Sequence, residues 1–133
     1  VSFSELLAQS DVLSVHTALT PETEGMFNLD AFKQMKTNSI FVNTARGKIH
    51  NEKDLLIALK KGMIWGAGLD VTDPEPMDPG NELLNMPNVS VLPHIGSATV
   101  ETRNAMAELA AKNIVAGLRN DKLPNIINPE IYS

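Results

Sequence analysis

Apolar positions along this chain fall into two alternating patterns, short unbroken runs and longer stretches with helical spacing. The runs Asp11–His16, Ser39–Thr44, Ala67–Val71 and Asn88–Leu92 are rich in branched residues and have strand length, so they predict four β-strands. The unbroken centre of the second run predicts burial on both faces, as in a parallel sheet. Between the strands lie amphipathic segments with recognisable ends. Ser4–Gln9 reads as a short helix capped by Ser2 or Ser4, and Asn28 caps a second through Leu29, Phe32 and Met35. Asn51 caps a third, whose Leu55, Leu56 and Leu59 form one buried stripe and which Gly62 stops in a left-handed turn. A long helix runs from about Thr99 to Leu118, with Met106, Leu109, Ala110, Asn113, Ile114 and Leu118 on one face and Ser97 or Thr99 as its cap. Thr20–Thr23 is a turn, Asp73–Pro76 is irregular, and the tail from Pro124 to Ser133 has no period.

Strand and helix in this alternation predict an α/β domain with a parallel sheet and right-handed crossovers. The composition agrees, at 43% hydrophobic and 20% charged residues over 133 positions, enough for one core. A net charge of −5 argues against a nucleic-acid surface, and no apolar run is long enough to span a membrane. The absence of cysteine excludes disulfides and thiolate chemistry and fits a cytoplasmic setting. The chain opens at Val1 directly into helical sequence, so it is expected to be part of a longer product.

Parallel α/β sheets bind ligands beyond the carboxyl ends of their strands. The second strand ends at Thr44-Ala45-Arg46-Gly47, the third at Asp70 with Glu75 five residues on, and the fourth at Pro93-His94-Ile95-Gly96. Taken singly, an arginine after a strand is a solvated charge, a histidine there is structural, and Asp70 can simply cap a neighbouring loop. Their convergence on one sheet edge is what favours chemistry. An arginine, a histidine and a carboxylate suit reduction of a 2-keto acid. Arg46 would fork to the substrate carboxylate or polarise the carbonyl. His94 would give a proton to the carbonyl oxygen, with Glu75 accepting from its other ring nitrogen and fixing the tautomer. Asp70 would bond a nicotinamide carboxamide, and Gly96 would let the backbone come close to the ring. A metal site of His94, Asp70 and Glu75 is the main rival, opposed by the charge of Arg46; a serine hydrolase lacks its Gly-x-Ser-x-Gly elbow. His16 is a weak candidate, and His50, next to a helix cap, is expected to be exposed.

The blocks Asn43-Thr44-Ala45-Arg46-Gly47, Gly68-Leu69-Asp70-Val71, Pro74-Glu75-Pro76 and Pro93-His94-Ile95-Gly96-Ser97-Ala98-Thr99 resemble the signatures of the D-2-hydroxyacid dehydrogenases, and Leu19–Thr23 is similar to that family's loop near the cofactor. The resemblance covers nearly the whole chain. It implies a Rossmann-type, doubly wound domain, NAD or NADP as cofactor, a small 2-keto acid substrate and a homodimer in the complete protein. It also implies a catalytic set of Arg46, Glu75 and His94, with Thr17, Leu19, Thr44, Ala45, Arg46, Asp70, His94 and Gly96 on the cofactor. Glu75 points away from the formate dehydrogenases, which carry Gln there, and Gly96–Thr99 with Asn113–Leu118 most resembles the glyoxylate/hydroxypyruvate reductases. Trp65 stands where small residues are common in relatives and is expected to pack beside the third strand. No Gly-x-Gly-x-x-Gly occurs, so residues 1–133 read as the C-terminal part of the NAD(P)-binding domain without its first strand–helix–strand unit. The final helix would then turn its apolar face toward a missing substrate domain. Two alternatives remain: a non-catalytic NAD-binding module like the family's transcriptional corepressor, and an inactive half-domain.

Overall fold

The computed structural model describes residues 1–132. They form two compact units, Val1–Gly96 and the residues from Ser97 onward.

The first unit is a four-stranded, wholly parallel sheet in sequence order, β1 (Val12–Val15), β2 (Ile40–Asn43), β3 (Gly66–Leu69) and β4 (Val89–Val91). Helix α1 (Phe3–Gln9) precedes β1, while α2 (Leu29–Gln34) and α3 (Glu52–Lys60) form the crossovers. The caps act where the sequence puts them. Ser2, rather than Ser4, closes a reciprocal capping box with Glu5; Asn28 accepts from Asp30 and Ala31, and Asn51 from Asp54. Gly62 adopts φ +64° after α3, a left-handed stop that a side chain resists.

Parallel register sets the layers. Leu13, Phe41 and Ala67 lie abreast, as do Val15, Asn43 and Leu69, and all are buried. Successive crossovers of one hand in a sheet ordered 1-2-3-4 place their helices on the same face. Phe32 of α2 and Leu55 of α3 are accordingly fully buried in one cluster with Phe41, and Phe32 meets Phe41 edge to face with ring centroids 5.3 Å apart.

The opposite face departs from the expectation of two buried faces. Burial alternates along β2, with Phe41 and Asn43 buried and Ile40 and Val42 only half-buried. Val12 of β1 is 60% exposed. No helix of this unit covers that side, so the apolar centre of β2 is provisioned for a layer that these crossovers do not supply. Trp65 lies beside β3 with Ile40, Val42 and Gly68 along the same open face, yet is itself 60% exposed rather than packed.

In the second unit, α4 (Val100–Leu118) is capped by Thr99, which accepts from the Thr102 N–H. Its stripe of Met106, Leu109, Ile114 and Leu118 is exposed, and only Ala116 is buried. Asn113 holds the returning tail at Asn125, and Tyr132 accepts from Leu123, in a region where the sequence showed no period. No helix among the described residues is long and apolar enough to cross a membrane.

Candidate active site

The carboxyl ends of β2, β3 and β4 carry the polar residues singled out from the sequence, and two polar side chains, Asn43 and Asp70, hold them. Asn43, at the end of β2, is fully buried. Its Oδ1 accepts from the Ala45 N–H at 3.0 Å, and its Nδ2 donates to the Arg46 carbonyl at 2.9 Å and to His50 Nδ1 at 2.9 Å. The carboxamide thereby spans the turn that presents Arg46. Gly47 follows because nothing larger fits: a Cβ there would lie 2.0 Å from the Thr72 carbonyl oxygen. The β2 turn is thus pressed directly against the loop that follows β3.

Asp70 closes β3. Its backbone N–H bonds the Asn43 carbonyl, and its two carboxylate oxygens accept from Ile95 and Gly96, both at 2.8 Å. Carboxylate bonds to consecutive backbone N–H groups are charge-assisted and strong. They hold in place a costly conformation, because His94 has φ +54°, in the left-handed region that residues other than glycine rarely adopt. Asp70 therefore does what its plainer reading allowed: it caps a neighbouring loop. Gly96 also has a reason beyond ligand approach, since a Cβ there would sit 3.0 Å from Asp70 Oδ2. Among the described residues no group of three or more His, Asp or Glu side chains is placed to hold a metal ion.

Locked in this way, the His94 ring meets Glu75, with Nδ1 and Oε1 2.5 Å apart. Glu75 Oε2 accepts from the Thr72 N–H at 3.3 Å, and the Thr72 hydroxyl donates to the Pro74 carbonyl at 2.7 Å, shaping the loop from both sides. The hydrogen bond from His94 is the largest influence holding the Glu75 carboxyl below its usual range, opposed by burial and assisted by Thr72 and the nearby Arg46 charge. An ionised Glu75 accepts from Nδ1–H, which leaves Nε2 as the outward-facing nitrogen of His94.

Two cavities flank this edge. One of about 450 Å³ is lined by Asp70, Glu75, His94, Met77, Leu84 and Leu92. The other, about 520 Å³, is lined by His16, Thr17, Leu19, Thr44, Ala45 and Arg46. All the residues expected at the cofactor fall in one of these two groups except Gly96, which borders them through Asp70. The Arg46 guanidinium turns back to the Ala45 carbonyl at 2.6 Å. Asn43, Gly47 and Thr72 were not singled out as site residues, since their roles depend on contacts between strand ends that no local pattern reveals. His50 reverses its expectation: it is 3% exposed, tilted against Phe41, and burial pushes its imidazole down to about 4. His16 remains exposed, bonded to Ser14.

The second cavity, with polar and apolar side chains in its lining, is large enough for a small planar ring. Comparison with known proteins agrees in kind. Residues 1–96 match the family model described as the D-isomer specific 2-hydroxyacid dehydrogenase NAD binding domain. A glyoxylate reductase/hydroxypyruvate reductase of Homo sapiens is 51% identical over 125 residues, covering 94% of this chain and 38% of that protein. A crystal structure of a Thermus thermophilus protein superposes with a TM-score of 0.92 at 47% identity, over 96% of this chain and 40% of that one. The D-lactate dehydrogenase of Lactobacillus jensenii, solved with NAD+, gives a TM-score of 0.87 at 29% identity, over 96% and 42%. The chain thus spans about two fifths of the length of each of these relatives.

Proposed function

Because this chain belongs to the D-isomer specific 2-hydroxyacid dehydrogenases, we propose that it forms the nicotinamide side of an oxidoreductase that interconverts a 2-keto acid and a D-2-hydroxy acid. The observation that carries the reading is the Glu75–His94 pair, held on a left-handed His94 beside the turn of Arg46. Bound NAD(P)H supplies the hydride. Arg46 leaves the Ala45 carbonyl and forks to the substrate carboxylate, aligning the keto carbon. His94 delivers a proton from Nε2 to the carbonyl oxygen and recovers it in the reverse direction. Glu75 keeps the ring in the tautomer and orientation that this requires. Thr17, Leu19, Thr44 and Ala45 line the cavity that would hold the cofactor, and Gly96 lies against Asp70 of the neighbouring one. A carboxylate–histidine pair of this kind is worth ~10²–10⁴-fold.

Glyoxylate and hydroxypyruvate are the substrates favoured, on the names of relatives such as the Homo sapiens protein. Residues 1–133 serve as the C-terminal part of the NAD(P)-binding domain, and the exposed stripe of α4 meets a substrate domain carried elsewhere in the complete protein. That protein works as a cytoplasmic homodimer on a small molecule, without nucleic acid. The test is reductase activity of the full-length gene product with glyoxylate or hydroxypyruvate and either NADH or NADPH. Consumption of the reduced cofactor is expected; none with any 2-keto acid would overturn the reading and favour a non-catalytic binding module.

A further inference from the structure

We propose that Asn43 and His50 are positioning residues for Arg46: a buried amide–imidazole clip that fixes the turn from which the guanidinium reaches its substrate. The proposal rests on the substrate-binding role given to Arg46 above.

The clip is built from bonds at every polar atom of the Asn43 side chain. Its Oδ1 is taken by Ala45 N–H, one Nδ2 hydrogen by the Arg46 carbonyl and the other by His50 Nδ1. A primary amide has two donor hydrogens, so this side chain can satisfy both acceptors at once. The two turn contacts fall on either side of the Arg46 Cα, at the N–H before it and at its own carbonyl. Fixing both restrains the backbone from which the Arg46 side chain departs. The rest of the turn is short of freedom too, because Ile49 bonds the Arg46 carbonyl, His50 bonds that of Gly47, and Gly47 abuts the Thr72 carbonyl.

His50 reinforces the orientation of the clip. An amide can flip, exchanging its oxygen and nitrogen. With Asn43 flipped, its oxygen would face the Arg46 carbonyl and its nitrogen the Ala45 N–H, two repulsive pairings. His50 adds a third reason against the flip, provided that its Nδ1 is an acceptor. That demands a neutral ring with the proton on Nε2, which has no protein hydrogen-bond partner among the described residues. The ring sits 3% exposed against Phe41, where a charged imidazole would be desolvated. Asp73, Glu24, Lys48, Glu52 and Lys53 line the cavity around it. A valine or leucine would fill the same space but would leave one Nδ2 hydrogen buried and unmet. The imidazole thus meets the second Nδ2 hydrogen of Asn43 while leaving its own Nε2 without a partner.

A 1 Å misplacement at a reacting centre can cost about a hundredfold in rate. The experiment compares full-length wild type with His50→Ala, His50→Gln and Asn43→Ala. Three readouts are taken: KM and kcat for glyoxylate, NADH affinity, and hydrogen exchange at the Ala45 amide. His50→Ala is expected to raise KM about tenfold and to speed Ala45 exchange, with a smaller loss of NADH affinity. His50→Gln, whose Oε1 can accept from Asn43, is expected to restore both to within about threefold. Asn43→Ala should move the same quantities further; if it does not fold, the two His50 variants decide. Unchanged KM and exchange in His50→Ala, a Gln variant no better than Ala, or an equal loss of NADH affinity would overturn the proposal. If wild type reduces no 2-keto acid, the functional reading fails, while the exchange comparison still decides whether the clip holds the turn.

Discussion

At the scale of single residues, this edge is organised by groups whose work is done on the backbone. Asp70 holds Ile95 and Gly96 while His94 occupies the left-handed region. Charge-assisted hydrogen bonds of this kind contribute about 1.5–3 kcal/mol, and the conformation they secure costs ~1–3 kcal/mol. Asp70→Ala is therefore expected to destabilise the protein by about 2–4 kcal/mol in urea unfolding. A loss below about 0.5 kcal/mol would mean that the loop is held by something else. His50 makes a second prediction. Its folded value of about 4 lies below the 6.5 of an unperturbed imidazole, so between those pH values the unfolded chain binds more protons. Stability is then fully present above pH 6.5 and is lost as pH falls toward 4, by roughly 2 kcal/mol at pH 5. His50→Gln should flatten that part of the pH dependence; an identical slope in both proteins would show that His50 is not buried neutral.

At the scale of elements, the fold depends on one helical layer locked to one sheet face. Phe41 is central to it, fully buried and in ring contact with Phe27, Phe32 and His50. Phe41→Ala should cost about 3–5 kcal/mol, a transfer loss plus the cavity left between three rings. Its measure is the urea midpoint, and a cost under about 1 kcal/mol would mean that the layer closes over the gap. Gly47→Ala tests the contact between loops instead. Its added methyl meets a backbone oxygen that cannot rotate away, so the turn or the Thr72 loop must shift. A stability equal to wild type would show that this approach is looser than 2.0 Å implies.

At the scale of the whole molecule, residues 1–96 carry the hydrogen-bonded Glu75–His94 pair but only one side of a sheet sandwich. The open face along Ile40, Val42 and Trp65, and the bare stripe of α4, are apolar surface that a monomer of this size rarely leaves to water. The 133-residue chain alone is expected to show no reductase activity, since it has no glycine-rich turn for a pyrophosphate. Measurable turnover by the isolated chain would refute this.

Much of this was legible from residue order. Branched runs and capping asparagines determined four strands and their helices, because each signal acts within a few residues. The placement of Arg46, Glu75 and His94 at one edge followed from the rule that parallel strands end together. Even the plainer role of Asp70 was among its readings. Tertiary structure decided what depends on contacts between segments distant in sequence or on the path of a turn: that His50 is buried against Phe41, that Asn43 ties the Arg46 turn, and that Gly47 meets Thr72. The exposure of one face of β2 belongs there as well. An apolar run records the burial a strand is built for, whereas actual burial depends on which layers are present to cover it.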